Sequence, residues 1–146
     1  MRIDKTTTYK DVKRLYNLKK LEDFEIADNE TDIIQWNVFS SDNVKIGKVE
    51  DLIVDKDNMK VEYADMIVDK HFVTGTAENH LLIPMEMIHL DKENKKVFVT
   101  KIVSKDLAFY PLYNGSNIPA NYEQTLREKL IQAADSKATD TTNPNL

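Results

Sequence analysis

Three histidines, His71, His80 and His89, are the side chains best suited to ligate a metal or carry a proton. Their spacing matches no metal-ligand pattern such as two histidines one helical turn apart. Asp55-Lys-Asp-Asn-Met-Lys60 begins like a calcium loop, in which alternate positions supply oxygen ligands. Met59 then replaces an oxygen ligand and Lys60 replaces the turn glycine. The acidic run Asp28-Asn-Glu-Thr-Asp32 could attract a cation weakly, but its composition is that of a solvated turn. The chain contains no cysteine, which removes disulfides, thiolate metal sites and cysteine nucleophiles together. No phosphate-binding glycine loop and no G-x-S-x-G elbow occurs. The sequence therefore predicts no catalytic residue, no cofactor and no metal ligand.

Asp65 is a carboxylate within a predicted strand, where a partnered structural role is commoner than a catalytic one. It falls in the same alternating series as Val61 and Tyr63, so a strand that buries them also buries a carboxylate. Such a group needs a partner or a raised pKa.

Charge narrows the partners. The formal net charge is −5, and the basic residues Lys10, Lys13, Arg14, Lys19 and Lys20 are followed at once by Glu22, Asp23, Glu25, Asp28 and Glu30. A mixed field of this kind predicts a solvated face rather than a nucleic-acid surface. No apolar run approaches the roughly 20 residues needed to cross a bilayer, and no hydrophobic leader is expected. The expectation is a cytoplasmic protein without membrane insertion.

Strands must position these residues. Apolar and polar residues alternate around Ile34, Trp36 and Val38, along Lys45 to Val54, and from Val61 to Val68. Ser40-Ser-Asp-Asn43 and Asp55-Lys-Asp-Asn58 supply the intervening turns. Gly47 interrupts the second strand, the mark of a bulge or bend. Leu81-Leu-Ile-Pro84 predicts a fourth strand that bends at the proline and continues through Met87 to Leu90. Val97-Phe-Val-Thr100 is a fifth. Before them, Val12, Leu15 and Tyr16 have the spacing of a short helix. After them, Tyr122, Leu126 and Leu130 predict one face of an amphipathic helix over 121–135. Residues 136–146 lack apolar content and are expected to be disordered. Short, evenly spaced strands with turn residues between them indicate a small barrel or sandwich.

The stretch Asp42-Asn-Val-Lys-Ile-Gly-Lys-Val-Glu-Asp-Leu-Ile-Val-Asp55 resembles the PRC-barrel family. So do Leu21-Glu-Asp-Phe-Glu-Ile-Ala27, Asp32-Ile-Ile-Gln-Trp36, Lys60-Val-Glu-Tyr-Ala-Asp65, His80-Leu-Leu-Ile-Pro84 and Lys96-Val-Phe-Val99. Domains of this family resemble the cytoplasmic domain of the photosynthetic reaction-centre H subunit and the C-terminal domain of the ribosome maturation factor RimM. The chain departs from the usual pattern at Asn43, where a glycine is common, and at Gln35, where Arg-Gly often precedes the tryptophan. The resemblance implies a mostly-β fold with a small PRC-type β-barrel, to which the periodicity after residue 121 adds a C-terminal amphipathic helix. With the patterning on either side, the chain divides into an N-terminal extension (1–17), a PRC-barrel-like domain (18–113), a helix region (114–135) and a tail (136–146). Trp36, Ile46, Gly47, Val49, Asp55, Tyr63 and Pro84 are expected to be structural motif residues. Trp36, Tyr63, Ile46, Val49 and Leu82 would fill the core, and Asp55 would bond backbone in its turn.

The function implied is that of a stand-alone, non-enzymatic interaction or assembly module with an unidentified protein partner, or itself in a homodimer. A self-assembling stress-type structural protein and a small-ligand binder or weak enzyme are the alternatives. The aromatic segment offers the candidate interface: Phe109, Tyr110 and Tyr113, with Tyr122, Leu126 and Leu130 on the helix. The competing reading of these six is packing against their own barrel.

Overall fold

The computed structural model describes residues 14–21, 31–75 and 77–142, with side chains to residue 133. Seven strands form one curled sheet: β1 (Leu15–Asn17), β2 (Asn37–Phe39), β3 (Lys45–Asp55), β4 (Lys60–Val68), β5 (His80–Pro84), β6 (Ile88–Asp91) and β7 (Lys96–Val99). One long helix among the described residues, α1 (Tyr122–Thr142), follows. The order across the sheet is β5-β4-β3-β2-β7-β6, with β1 also paired to β3. β3 is long enough to serve two partners on one side, β2 at its start and β1 at its end. A 3-10 turn, Met85–Met87, carries the chain from β5 to β6, at the other end of the strand order. The result is a half-barrel wrapped around Val38, Ile46, Val49, Met66, Leu81, Val97 and Ile102, all nearly inaccessible.

Burial along the central strands departs from simple alternation. Asp51 to Asp55 on β3, Tyr63 to Met66 on β4 and all of β5 are buried without interruption. Continuous burial means that both faces are covered. One face lines the barrel. The face bearing Tyr63 and Asp65 is covered by the chain after residue 110. There Tyr113 pairs its backbone with His80, Tyr122 accepts a hydrogen bond from the Leu82 backbone N–H (3.1 Å), and Leu126 and Leu130 are buried. These contacts also close the free edge of β5, which would otherwise invite pairing with another chain.

Several expectations are corrected. Leu15 and Tyr16 form β1, not a helix. Leu15 and Asn17 lie against Asp55 and Ile53, where strand pairing outweighs a weak local helical spacing. The 1–17 segment thus contributes a strand to the sheet; residues 1–13, Val12 among them, lie outside the described residues. The first predicted strand is shorter than its alternation suggests, because residues 34–35 turn and Gln35 has left-handed backbone (φ 78°). β5 and β6 are separated by the 3-10 turn rather than continuous. Helix α1 runs to Thr142, past the expected end at 135 and into the segment expected to be disordered. Residues 143–146 are outside the description.

Gly47 has a steric reason. A Cβ there would stand 2.2 Å from the Ile67 carbonyl oxygen and 2.7 Å from Met66 Cγ. The β2–β3 register slips beside it, between Val38 and Phe39, as the interruption predicted. Asn43 takes φ 64°, the conformation that Asn tolerates where glycine is common.

Candidate functional site

The face of β4 that carries Tyr63 and Asp65 is where polar groups converge. Asp65 lies opposite Asp51 on β3 and Leu82 on β5. His80 lies opposite Ile67, two residues further along β4, so its ring reaches diagonally to Asp65. Nδ1 of His80 is 2.8 Å from Asp65 Oδ1, with both side chains almost wholly buried. Nε2 is 3.1 Å from Glu78 Oε1, and the Glu78 side chain is exposed. Burial alone would push the imidazole pKa down. The hydrogen bonds and charges of Asp65 and Glu78 outweigh it, so His80 titrates above its ordinary value. Residue 115 must be glycine: its φ is +88°, and a Cβ would come within 2.5 Å of His80 Nε2.

The surrounding groups extend the cluster. Asp51 accepts hydrogen bonds from Asn17 Nδ2 (3.1 Å), the Lys19 N–H (3.2 Å) and its neighbour Leu52 (2.8 Å). Burial nevertheless raises its pKa. Burial also pushes the hydroxyls of Tyr113 and Tyr122 up, and the charge of Asp65 adds to both shifts. No buried side-chain polar atom among the described residues lacks a partner.

A second network ties the helix to the barrel. Arg14 bridges Asp55 (2.6 Å) and Glu123. Glu123 also accepts the Tyr63 hydroxyl (2.6 Å), and Arg127 reaches that hydroxyl (3.5 Å) and Glu86 (3.5 Å). Asp55 is fully buried and holds its own turn through the N–H groups of Asp57 (2.8 Å) and Asn58 (3.1 Å). Burial opposes its charge, but the Asn58 and Arg14 bonds prevail and lower its pKa.

The residues singled out from sequence divide clearly. Ile46, Gly47, Val49, Asp55, Tyr63 and Pro84 are buried, as is Leu82, whereas Trp36 is half-buried and packs on the rim of the core. Of the six candidate interface residues, Tyr110, Tyr113, Tyr122, Leu126 and Leu130 are buried within their own chain. Phe109 alone is exposed, at 47%, with Lys129 Nζ 4.2 Å above its ring. His71 is exposed beside Phe72, and His89 lies opposite Phe98 on β7, so neither meets His80. Of the basic cluster, Arg14 and Lys19 are engaged with Asp55, Glu123 and Glu50, and Lys10 and Lys13 lie outside the described residues. The His80–Asp65 pair was not legible as a pair. The signal available was Asp65 alone, a carboxylate on a buried face in need of a partner.

A family model for the PRC-barrel domain matches residues 27–107, more than half of the chain. The chain belongs to the PRC-barrel family. No curated protein matches it. The PRC-barrel match ends at residue 107, so Tyr113, Gly115 and helix α1, which cover the polar cluster, lie beyond it. Among the described residues, no group of three metal-ligating side chains converges. No helix among them is long and apolar enough to cross a membrane.

Proposed function

We propose that this PRC-barrel protein is a non-enzymatic protein-interaction or assembly module acting in the cytoplasm. The observation that carries this reading is the state of its best chemical group. Both nitrogens of His80 are already held by carboxylates, and Gly115 lies against the ring. The imidazole therefore offers neither nitrogen to a substrate. A general base must come within hydrogen-bond reach of the proton it takes, and here that reach is filled from within. The surface of the C-terminal segment, by contrast, presents large apolar side chains: Phe109, and Ile131 at 60% exposure.

The test is a photo-crosslinking amino acid placed at Phe109 or at Ile131 in the native cells, with Lys92 in the β6–β7 turn as control. A discrete adduct with one other protein, absent from the control, is the expected result. Adducts only between copies of the chain would move the conclusion to the self-assembling reading. Adducts no different from the control would remove the module reading and direct attention to ligands. A ligand that binds only the native state must raise thermal stability.

A further inference from the structure

Beside helix α1 the barrel forms a groove of about 260 Å³. Its apolar walls come from Pro84, Met87, Leu130 and Ile131, and its rim carries Lys101, Arg127 and Glu86. The volume suits one or two apolar side chains rather than a cofactor-sized ligand. Lys101 follows β7 with left-handed backbone (φ 71°), and among the described residues its ammonium has no ion-pair partner. Arg127 makes only long contacts, 3.5 Å to the exposed Glu86 and 3.5 Å to the Tyr63 hydroxyl. An incoming carboxylate can displace Glu86 without uncovering a buried charge.

We propose that this groove binds a peptide segment of a partner protein in which an aliphatic or aromatic side chain lies close to an acidic residue. The apolar side chain fills the space between Met87, Leu130 and Ile131, and the carboxylate is taken by Lys101 and the fork of Arg127. Charge selects the occupant. The chain as a whole is acidic, at −5, so a basic segment would be favoured at long range. Within a Debye length of about 8 Å, Lys101 and Arg127 outnumber Glu86 at the rim, so the local field favours an acidic segment over a basic one. This assignment rests on the interaction-module reading and adds the chemistry of the partner to it.

The experiment is selection of phage-displayed peptides on the intact protein, followed by affinity measurement against Lys101→Glu, Ile131→Asp and Phe109→Asp. All three positions are exposed, and a thermal melt confirms that each variant folds. Enriched peptides should combine a Leu, Ile or Phe with a nearby Asp or Glu. Their affinity should fall about tenfold or more with Lys101→Glu and with Ile131→Asp, and fall less with Phe109→Asp, whose ring does not line the groove. Basic peptides, or binding indifferent to both groove variants, would overturn the proposal. Peptides lost only with Phe109→Asp would overturn the groove while leaving the module reading intact. Association of the chain with itself, abolished by Ile131→Asp and with no peptide enriched, would make a second copy the occupant and overturn it as well.

Discussion

His80 shows how a single side chain couples the barrel to the segment that covers it. Its ring is bonded to β4 through Asp65 and to its own approach loop through Glu78, while its backbone pairs with Tyr113. Because the folded pKa is raised, the protonated form is favoured by the fold. The resulting stabilisation is fully present below the unfolded value of about 6.5 and is lost as pH rises through the folded value. Urea denaturation from pH 6 to 9 should show wild-type stability falling with pH more steeply than that of His80→Gln. Asp51, also raised, is present in both proteins, so the difference between the two curves reports His80 together with its carboxylate partners Asp65 and Glu78. Parallel curves would mean that the buried imidazole carries no extra proton.

Among the elements, β3 does the most positioning. It pairs with β1, β2 and β4, and its register slips at two places against β4 as well as once against β2. Those irregularities let one long strand curl from one sheet partner to the next. Gly47 sits where the backbone of β4 comes closest, so the position tolerates no side chain. Gly47→Ala should destabilise the protein by about 1–3 kcal/mol, the usual cost of overpacking, or more if the β3–β4 ladder breaks. Chemical denaturation measures it; an unchanged midpoint would show that Ile67 and Met66 can move aside at little cost. A strand bulge was predictable from this glycine, but the atoms that require it belong to a strand some twenty residues away in sequence.

For the molecule as a whole, the C-terminal segment completes the fold. Tyr122 supplies the hydrogen-bond acceptor for Leu82 N–H on the outer edge of β5, and Leu126 and Leu130 bury the helix face beside it. Tyr122→Phe leaves that buried N–H unpaired and should cost about 1–3 kcal/mol. Faster amide hydrogen exchange at Leu82 than at Ile83, which faces β4, would be its signature. If exchange at Leu82 is unchanged, the edge is protected by something other than the tyrosine. The same docking explains why five of the six residues that read as a candidate interface are internal. An apolar helix face has the same spacing whether it packs on its own sheet or on a partner.

The sequence by itself determined strands β3, β4 and β7, the turn at Asp55, the glycine at 47, the C-terminal helix and the family resemblance. All of these depend on local periodicity, turn chemistry or residue order, which are written along the chain. Only the tertiary structure decided that Leu15–Asn17 is a strand, that Arg14 joins Asp55 to Glu123, and that His80 meets Asp65 beneath Gly115. These are contacts between residues far apart in sequence. Their partners are selected by sheet register and by which face the last helix covers, and no local pattern encodes either.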